Sequence, residues 1–480
     1  MAPSKAASRK ISQQAFDEMV AENIDDLGMD PAEALNDAIQ TLTLQGVDLS
    51  GIVTSVPGES NPVIECLGKL REDKPLPETV ELLDELSVLC GDNESGNAAI
   101  ASKNGAVELV ISACAKLRDE HRRGLASGLK ALASVIHDLQ TTEIFRENGG
   151  PKMVVGILSN EREDVKILDS CFSVVTAAAT GNEVLKESFM DLKIDELIFQ
   201  ILKEQNGGSI PSIYNVIHVI LSADDNRVLA SQVFGYARKF SKLGIAEVLV
   251  DSLREGLSSP CLISASIALK AVAVNDEICR SVSHVGGIDV ILRCLDDSGM
   301  QGNSAAAKAL CSLLSKLAGS DVNKNLIVEK GGTDKLVNLS ARFSDDPLVL
   351  QEVMSIMTTL CLRSPENAAR AIESGAGDLA IQTMKKFPQS DQLQRSSCFM
   401  IRNLVARNAE NRKILLNNGI EQLIRRAKQS HKGCKDAATD ALRDLDGDVG
   451  GAGGIFLILA SLLKILAFRS LPAIFVARKA

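Results

Sequence analysis

Tryptophan is absent from the 480 residues, tyrosine occurs twice, and aromatic side chains make up 3% of the chain. A platform for stacking single-stranded bases has almost nothing to be built from. Positive charge is also short: 52 Lys and Arg stand against 62 Asp and Glu, a formal net charge of −10. Nucleic acid is therefore not an expected partner, because phosphate contacts need a basic face. The eleven cysteines are scattered singly and form no CxxC; the nearest pair, Cys279 and Cys294, is 294 − 279 = 15 positions apart. Most lie in apolar runs, where a free thiol behaves as a small hydrophobe. The start, MAPSKAASRKISQQAF, contains no apolar segment, so no secretory signal is expected. Reduced thiols and a cytosolic setting follow, with the nucleus also open and secretion excluded.

Marks of catalysis are missing too. Gly68-Lys69 is followed by Leu70 and lacks the first glycine of a phosphate-binding loop. The glycine cluster GDVGGAGG (447–454) follows no strand signal, so it is no dinucleotide fingerprint. His121, His137, His218, His284 and His431 are isolated, none at zinc-ligand spacing from another histidine or a cysteine. Asn93-Glu-Ser95 and Asn338-Leu-Ser340 fit the glycosylation pattern but lack secretory context. No enzyme activity, catalytic residue, cofactor or metal is expected.

What the chain does contain is a repeat. Glycine after a polar stretch recurs at Gly105, Gly149, Gly244, Gly286, Gly331, Gly375 and Gly419, with steps such as 331 − 286 = 45 and 419 − 375 = 44. Lys193 stands where another copy falls, and the unit ending at Gly244 carries an insertion. Five positions after this column stand Val110, Val154, Ile198, Leu249, Ile291, Leu336, Ala380 and Ile424, all apolar. Eight positions before it stand Asn97, Thr141, Leu185, Tyr236, Ile278, Asn323, Asn367 and Asn411, five of which could cap a helix. Each unit then reads as a capped short helix, a glycine turn where positive φ is cheap, a second helix entered through the apolar column, and a longer third helix such as 391–407. A unit of this size cannot bury its apolar faces alone, so neighbours must stack.

Three helices in about 44 residues with a glycine-fixed turn resemble the armadillo repeat. The expected fold is all-α, a right-handed armadillo-type solenoid of eight to nine three-helix repeats over 78–446. The segment ISQQAFDEMVAENIDDLGMDPAEALNDAI…GVDLSGIV (11–53) resembles the N-terminal signature of the armadillo repeat-containing protein 6 family. That resemblance implies an intracellular scaffold without an assigned enzymatic activity.

Residues 1–53 read as an N-terminal arm with amphipathic helices over 12–28 and 30–45, either capping the solenoid or engaging a partner. Pro57, Pro62, Pro75 and Pro77 mark 54–77 as a linker. Residues 447–480 read as a glycine linker and an apolar tail, IFLILASLLKILAF (455–468). This run is short of the roughly twenty residues a spanning helix needs. Lys464 opposite a leucine stripe suits a packed or interfacial helix, so 455–477 leaves open a peripheral or tail-anchored membrane adaptor.

Peptide-binding armadillo proteins use an asparagine on each third helix, with a tryptophan four residues earlier, to hold extended ligands. Here the asparagine column reads Leu89, Ala133, Ala177, Lys270, Ser315, Thr359 and Asn403, and the tryptophan column contains none. An importin-α type receptor is not expected. The remaining candidate groove lies at the C-terminal end: Phe399, Arg402, Asn403 and Arg407 on one helix, with Arg363 one repeat earlier. Stacked arginines could grip an extended acidic peptide of another protein.

Overall fold

The computed structural model describes residues 9–45, 47–48, 52, 61–92, 96–120, 124–204, 210–223 and 230–446. The chain divides into two compact units, Met1–Leu197 and Ile198–Ala480. The apolar tail and the glycine linker before it lie outside the described residues.

The first unit opens with α1 (Gln13–Asp25), where the Ser12 side chain accepts from the Ala15 amide, and α2 (Pro31–Leu44), capped by Asp30. This pair has a core of its own, made of Phe16, Val20, Ala34, Leu35, Ala38, Leu42 and Ile52. A two-residue parallel pairing of β1 (Arg9–Lys10) with β2 (Val47–Asp48) is the only β structure among the described residues. The expected linker is corrected in its second half. Residues Pro62–Arg71 form α3, capped by Asn61, and α4 (Leu76–Gly91) starts with Pro77 in its first turn. Proline here opens helices rather than breaking them, because the first turn has no use for the missing N–H.

The unit continues as α5 (Asn97–Lys103), α6 (Ala106–Glu120) and α7 (Leu125–Val135), then α8 (Leu139–Glu147), α9 (Gly150–Asn160) and α10 (Val165–Ala179), then α11 (Glu183–Asp191). The division between units falls within α12 (Ile194–Glu204). The second unit adds α13 (Pro211–Ile220), α14 (Ala230–Lys242), α15 (Ile245–Leu253) and α16 (Leu262–Val272). It goes on with α17 (Asp276–His284), α18 (Gly287–Met300), α19 (Ser304–Leu317), α20 (Asp321–Glu329), α21 (Gly332–Arg342) and α22 (Pro347–Cys361). It ends with α23 (Pro365–Glu373), α24 (Ala376–Lys386), α25 (Asp391–Val405), α26 (Ala409–Asn417), α27 (Ile420–Ser430) and α28 (Lys435–Asp446). Each unit is thus a run of armadillo-type three-helix repeats. Third helices pack side by side: α4, α7 and α10 in the first unit, and α13, α16, α19, α22, α25 and α28 in the second.

The glycine column does what its spacing demands. Every member from Gly105 to Gly419 has φ between 71 and 100°, and Lys193 at the degenerate position has φ 61°. These are left-handed turns between first and second helices, which glycine adopts without a Cβ clash. Where a second glycine follows, the reason is space: a Cβ on Gly150 would stand 2.2 Å from the Phe145 ring, and one on Gly332 2.6 Å from Ile327. The apolar column five residues on is 0% exposed at all eight positions.

The expected capping column is displaced. The caps sit eleven residues before the glycine, at Asp138, Asn182, Asn275, Ser364 and Asn408, each accepting from a first-turn amide. Asn323, Asn367 and Asn411 lie inside the first helix and are buried. Their amides donate backward to the end of the preceding third helix, Asn411 to Leu404 O at 2.8 Å and Asn367 to Leu360 O at 3.2 Å. Asn323 bonds Leu317 O and, across the repeat, Cys279 O at 2.8 Å. One residue on, the 5% exposed Lys324 pairs with Asp321 and donates to Leu362 O of the next repeat at 3.0 Å. The partner holds the Asp321 carboxyl below its usual range. A buried polar group without such partners costs about 1–3 kcal/mol, so these bonds fix how one repeat sits on the next.

Candidate protein-binding face

The C-terminal candidates fall into three situations. Phe399, Arg402 and Asn403 share α25, but that helix ends at Val405, so Arg407 is not on it as its spacing suggested. Arg402 is 16% exposed and spent on α28, 3.0 Å from Asp440 and 3.3 Å from Asp444. The Asn403 amide donates to Thr358 O on α22 at 2.7 Å, a bond inside the helix row. Phe399 is half-buried under the Arg395 guanidinium, 5.4 Å from its ring centre. Arg363 and Arg407 are exposed, each two residues past the end of its third helix, with φ 59 and 62°. They are equivalent, 407 − 363 = 44 residues apart, as expected. Gly181 occupies the same turn earlier with φ 72°, and a side chain there costs about 1–2 kcal/mol relative to glycine.

A second cluster, missed at the sequence level, lies on α16, α19 and α22. Lys308, Ser312 and Lys316 recur every four residues on α19, so they share one stripe. All three are half-buried. From α16, Lys270 Nζ reaches Ser312 Oγ at 2.7 Å, bringing a third ammonium to the stripe. Beside Lys270 on α16, Ile263 and Ile267 keep 36 and 37% of their surface exposed, one turn apart. On α22, Glu352 Oε2 is buried with no hydrogen-bond partner; Glu352 follows Lys308 by 352 − 308 = 44 residues. The face therefore offers cationic side chains and an apolar step, while the unpartnered Glu352 oxygen lies beneath it. The signal was available as Lys-x-x-x-Ser-x-x-x-Lys, but reading one residue per repeat as an asparagine ladder passed over it.

Burial suppresses most of the thiols. All eleven cysteines are free and buried. Burial pushes the Cys66 thiol up to about 11 and those of Cys90, Cys114 and Cys361 up to about 12. A thiol that keeps its proton is a poor nucleophile. Among the described residues no three His, Cys, Asp or Glu side chains are grouped to hold a metal ion, and no single helix is long and apolar enough to cross a membrane.

The fold has solved counterparts. An engineered protein superposes with TM-score 0.54 at 18% identity, covering 82% of this chain and 100% of that one. A structure concerned with a phosphorylation switch in the interaction between cadherin and beta-catenin superposes with TM-score 0.56 at 14% identity, covering 90% of this chain and 82% of that one. In sequence, the armadillo repeat-containing protein 6 of Homo sapiens is 28% identical over 389 residues, 76% of each chain. Its Drosophila melanogaster homolog is 25% identical over 384 residues, 77% of this chain and 80% of that one. The family description ARMC6 matches residues 63–451, and the armadillo repeat-containing protein 6 N-terminal domain matches 8–73. The chain belongs to the armadillo repeat-containing protein 6 family.

Proposed function

We propose that this protein is a non-enzymatic scaffold that binds extended, acidic segments of other proteins along the third-helix row of its second unit. The observation that carries the reading is on α16 and α19, where Lys270 reaches Ser312 on the stripe that also carries Lys308 and Lys316, beside two exposed isoleucines. A ligand carboxylate meets the ammonium groups, and an apolar side chain covers Ile263 and Ile267. Charge-assisted bonds to half-buried lysines supply specificity and apolar contact supplies area. Arg363 and Arg407, exposed on equivalent turns, give a longer ligand two further cationic contacts. The eleven free thiols support a reducing setting, cytosol or nucleus.

The test compares proteins captured by the full chain with those captured by a Lys270→Glu, Lys308→Glu, Lys316→Glu variant, by quantitative mass spectrometry. Reversing three contacts at about 1.5 kcal/mol or more each predicts at least tenfold loss of partners bearing acidic segments. Unchanged recovery of the same partners by a folded variant removes the reading.

A further inference from the structure

One pair of thiols stands apart from the rest. Cys398 lies on α25, and Cys434 ends the short 3₁₀ turn Lys432–Cys434 between α27 and α28, which packs on α25. Their sulfurs are 3.7 Å apart, in contact across the last two repeats. The turn is pinned just ahead of Cys434. His431 Nε2 stands 2.8 Å from Pro388 O and its Nδ1 3.6 Å from Asp391 Oδ1, while Gly433 lies so close to Asp391 that a Cβ would come within 2.6 Å of the carboxylate. The sulfurs are thus held facing each other rather than meeting by chance.

We propose that Cys398 and Cys434 are a modification site, a dithiol that a small hydroperoxide converts to a disulfide stapling the terminal repeat to α25. A bonded pair sits at about 2.05 Å, so closure needs a shift of about 1.7 Å shared between a helix and a short turn. The two thiols are inequivalent. Either sulfur can donate the hydrogen bond between them, but the Arg395 guanidinium lies toward Cys434 and favours its thiolate against the opposing effects of burial and Asp391. Cys434 is then the attacking group and Cys398 the resolving one.

In the first step the Cys434 thiolate attacks one peroxide oxygen, the O–O bond breaks, and the leaving hydroxide takes a proton to become water. Cys434 is left as a sulfenic acid. In the second step Cys398 gives up its proton, its sulfur attacks the Cys434 sulfur, and the S–O bond breaks to release a second water. Two thiols and one hydrogen peroxide become one disulfide and two waters; the sulfurs lose the two electrons the peroxide gains. Both side chains are 0% exposed, which favours an oxidant near the size of water. Access comes from local opening of the packed helices around the pair.

The experiment treats the folded full chain with hydrogen peroxide, alkylates free thiols and identifies linked peptides by mass spectrometry. The expected result is a Cys398–Cys434 peptide lighter by two hydrogens than its separate halves, lost on dithiothreitol treatment and about tenfold more abundant than any other cysteine pair, since oxidation follows thiolate character and reach. In a Cys398→Ala chain the sulfenic acid on Cys434 persists and is trapped by dimedone. Should that variant unfold, hydrogen exchange in the wild-type chain carries the test: α28 amides slow on oxidation and recover on reduction. No linked peptide, or linkages spread evenly over the eleven cysteines, overturns the proposal.

Discussion

Two stretches of the same helix row, α16–α19 and α25–α28, both carry cationic side chains and use them in opposite ways. At the C-terminal end Arg402 lies between Asp440 and Asp444, and Asn403 is bonded to the α22 backbone. Those groups hold repeats together and have little left for a ligand. In α16–α19 Lys270 reaches Ser312, on the stripe of Lys308 and Lys316, and that stripe borders exposed isoleucines. A column read along the sequence gives residue type; what the next repeat places opposite decides whether that residue is spent on the fold or left for a partner.

The contrast is tested most strongly by exchanging buried and exposed positions on α16 itself. Leu269 is 0% exposed and Ile267 is 37% exposed, two residues apart. Leu269→Ala should cost about 2–5 kcal/mol through lost transfer energy and an unfilled cavity. Ile267→Ala should stay within about 0.5 kcal/mol while weakening partner capture. Denaturant unfolding and capture on the same two variants separate the roles, and a large stability loss at Ile267 would mark it as core rather than contact surface.

How far this was visible beforehand differs by feature. The glycine column and the apolar column five residues later were legible because backbone φ and core burial are local consequences of residue type. Even Lys193, a degenerate copy, takes the left-handed turn. The caps were misplaced by three residues because asparagine serves both at the cap, as Asn408 does, and inside the helix, as Asn411 does; only contact with the preceding helix tells them apart. The pairing of Arg402 with Asp440 and Asp444 was hidden for another reason. It joins residues about forty positions apart, and its register is set by how α28 lies on α25.

A smaller effect is expected from Arg402→Ala. The 16% exposed arginine leaves Asp440 and Asp444 facing α25, although Arg443 still pairs with both at 3.0 and 3.1 Å. Partial compensation puts the cost at about 1–2 kcal/mol, below the 3–5 typical of a wholly buried pair that loses one partner. Because repeats unfold locally, the sensitive readout is faster hydrogen exchange in α28 with α16 and α19 unchanged. Uniform acceleration across the second unit would show that the arginine does more than join two helices.

The smallest stability effect carries the sharpest functional distinction. Arg407 has φ 62° in an exposed turn, so Arg407→Gly relieves about 1–2 kcal/mol of side-chain clash and returns about 0.5–1 kcal/mol to the unfolded chain as entropy. A net gain of about 0.5–1 kcal/mol is expected, while Arg407→Ala, which retains a Cβ in the same conformation, gains nothing. If the arginine is retained for a ligand, both variants lose partner capture to the same degree even though only one is stabilised. Capture that survives both substitutions leaves the strained arginines without a binding role and confines the face to α16, α19 and α22.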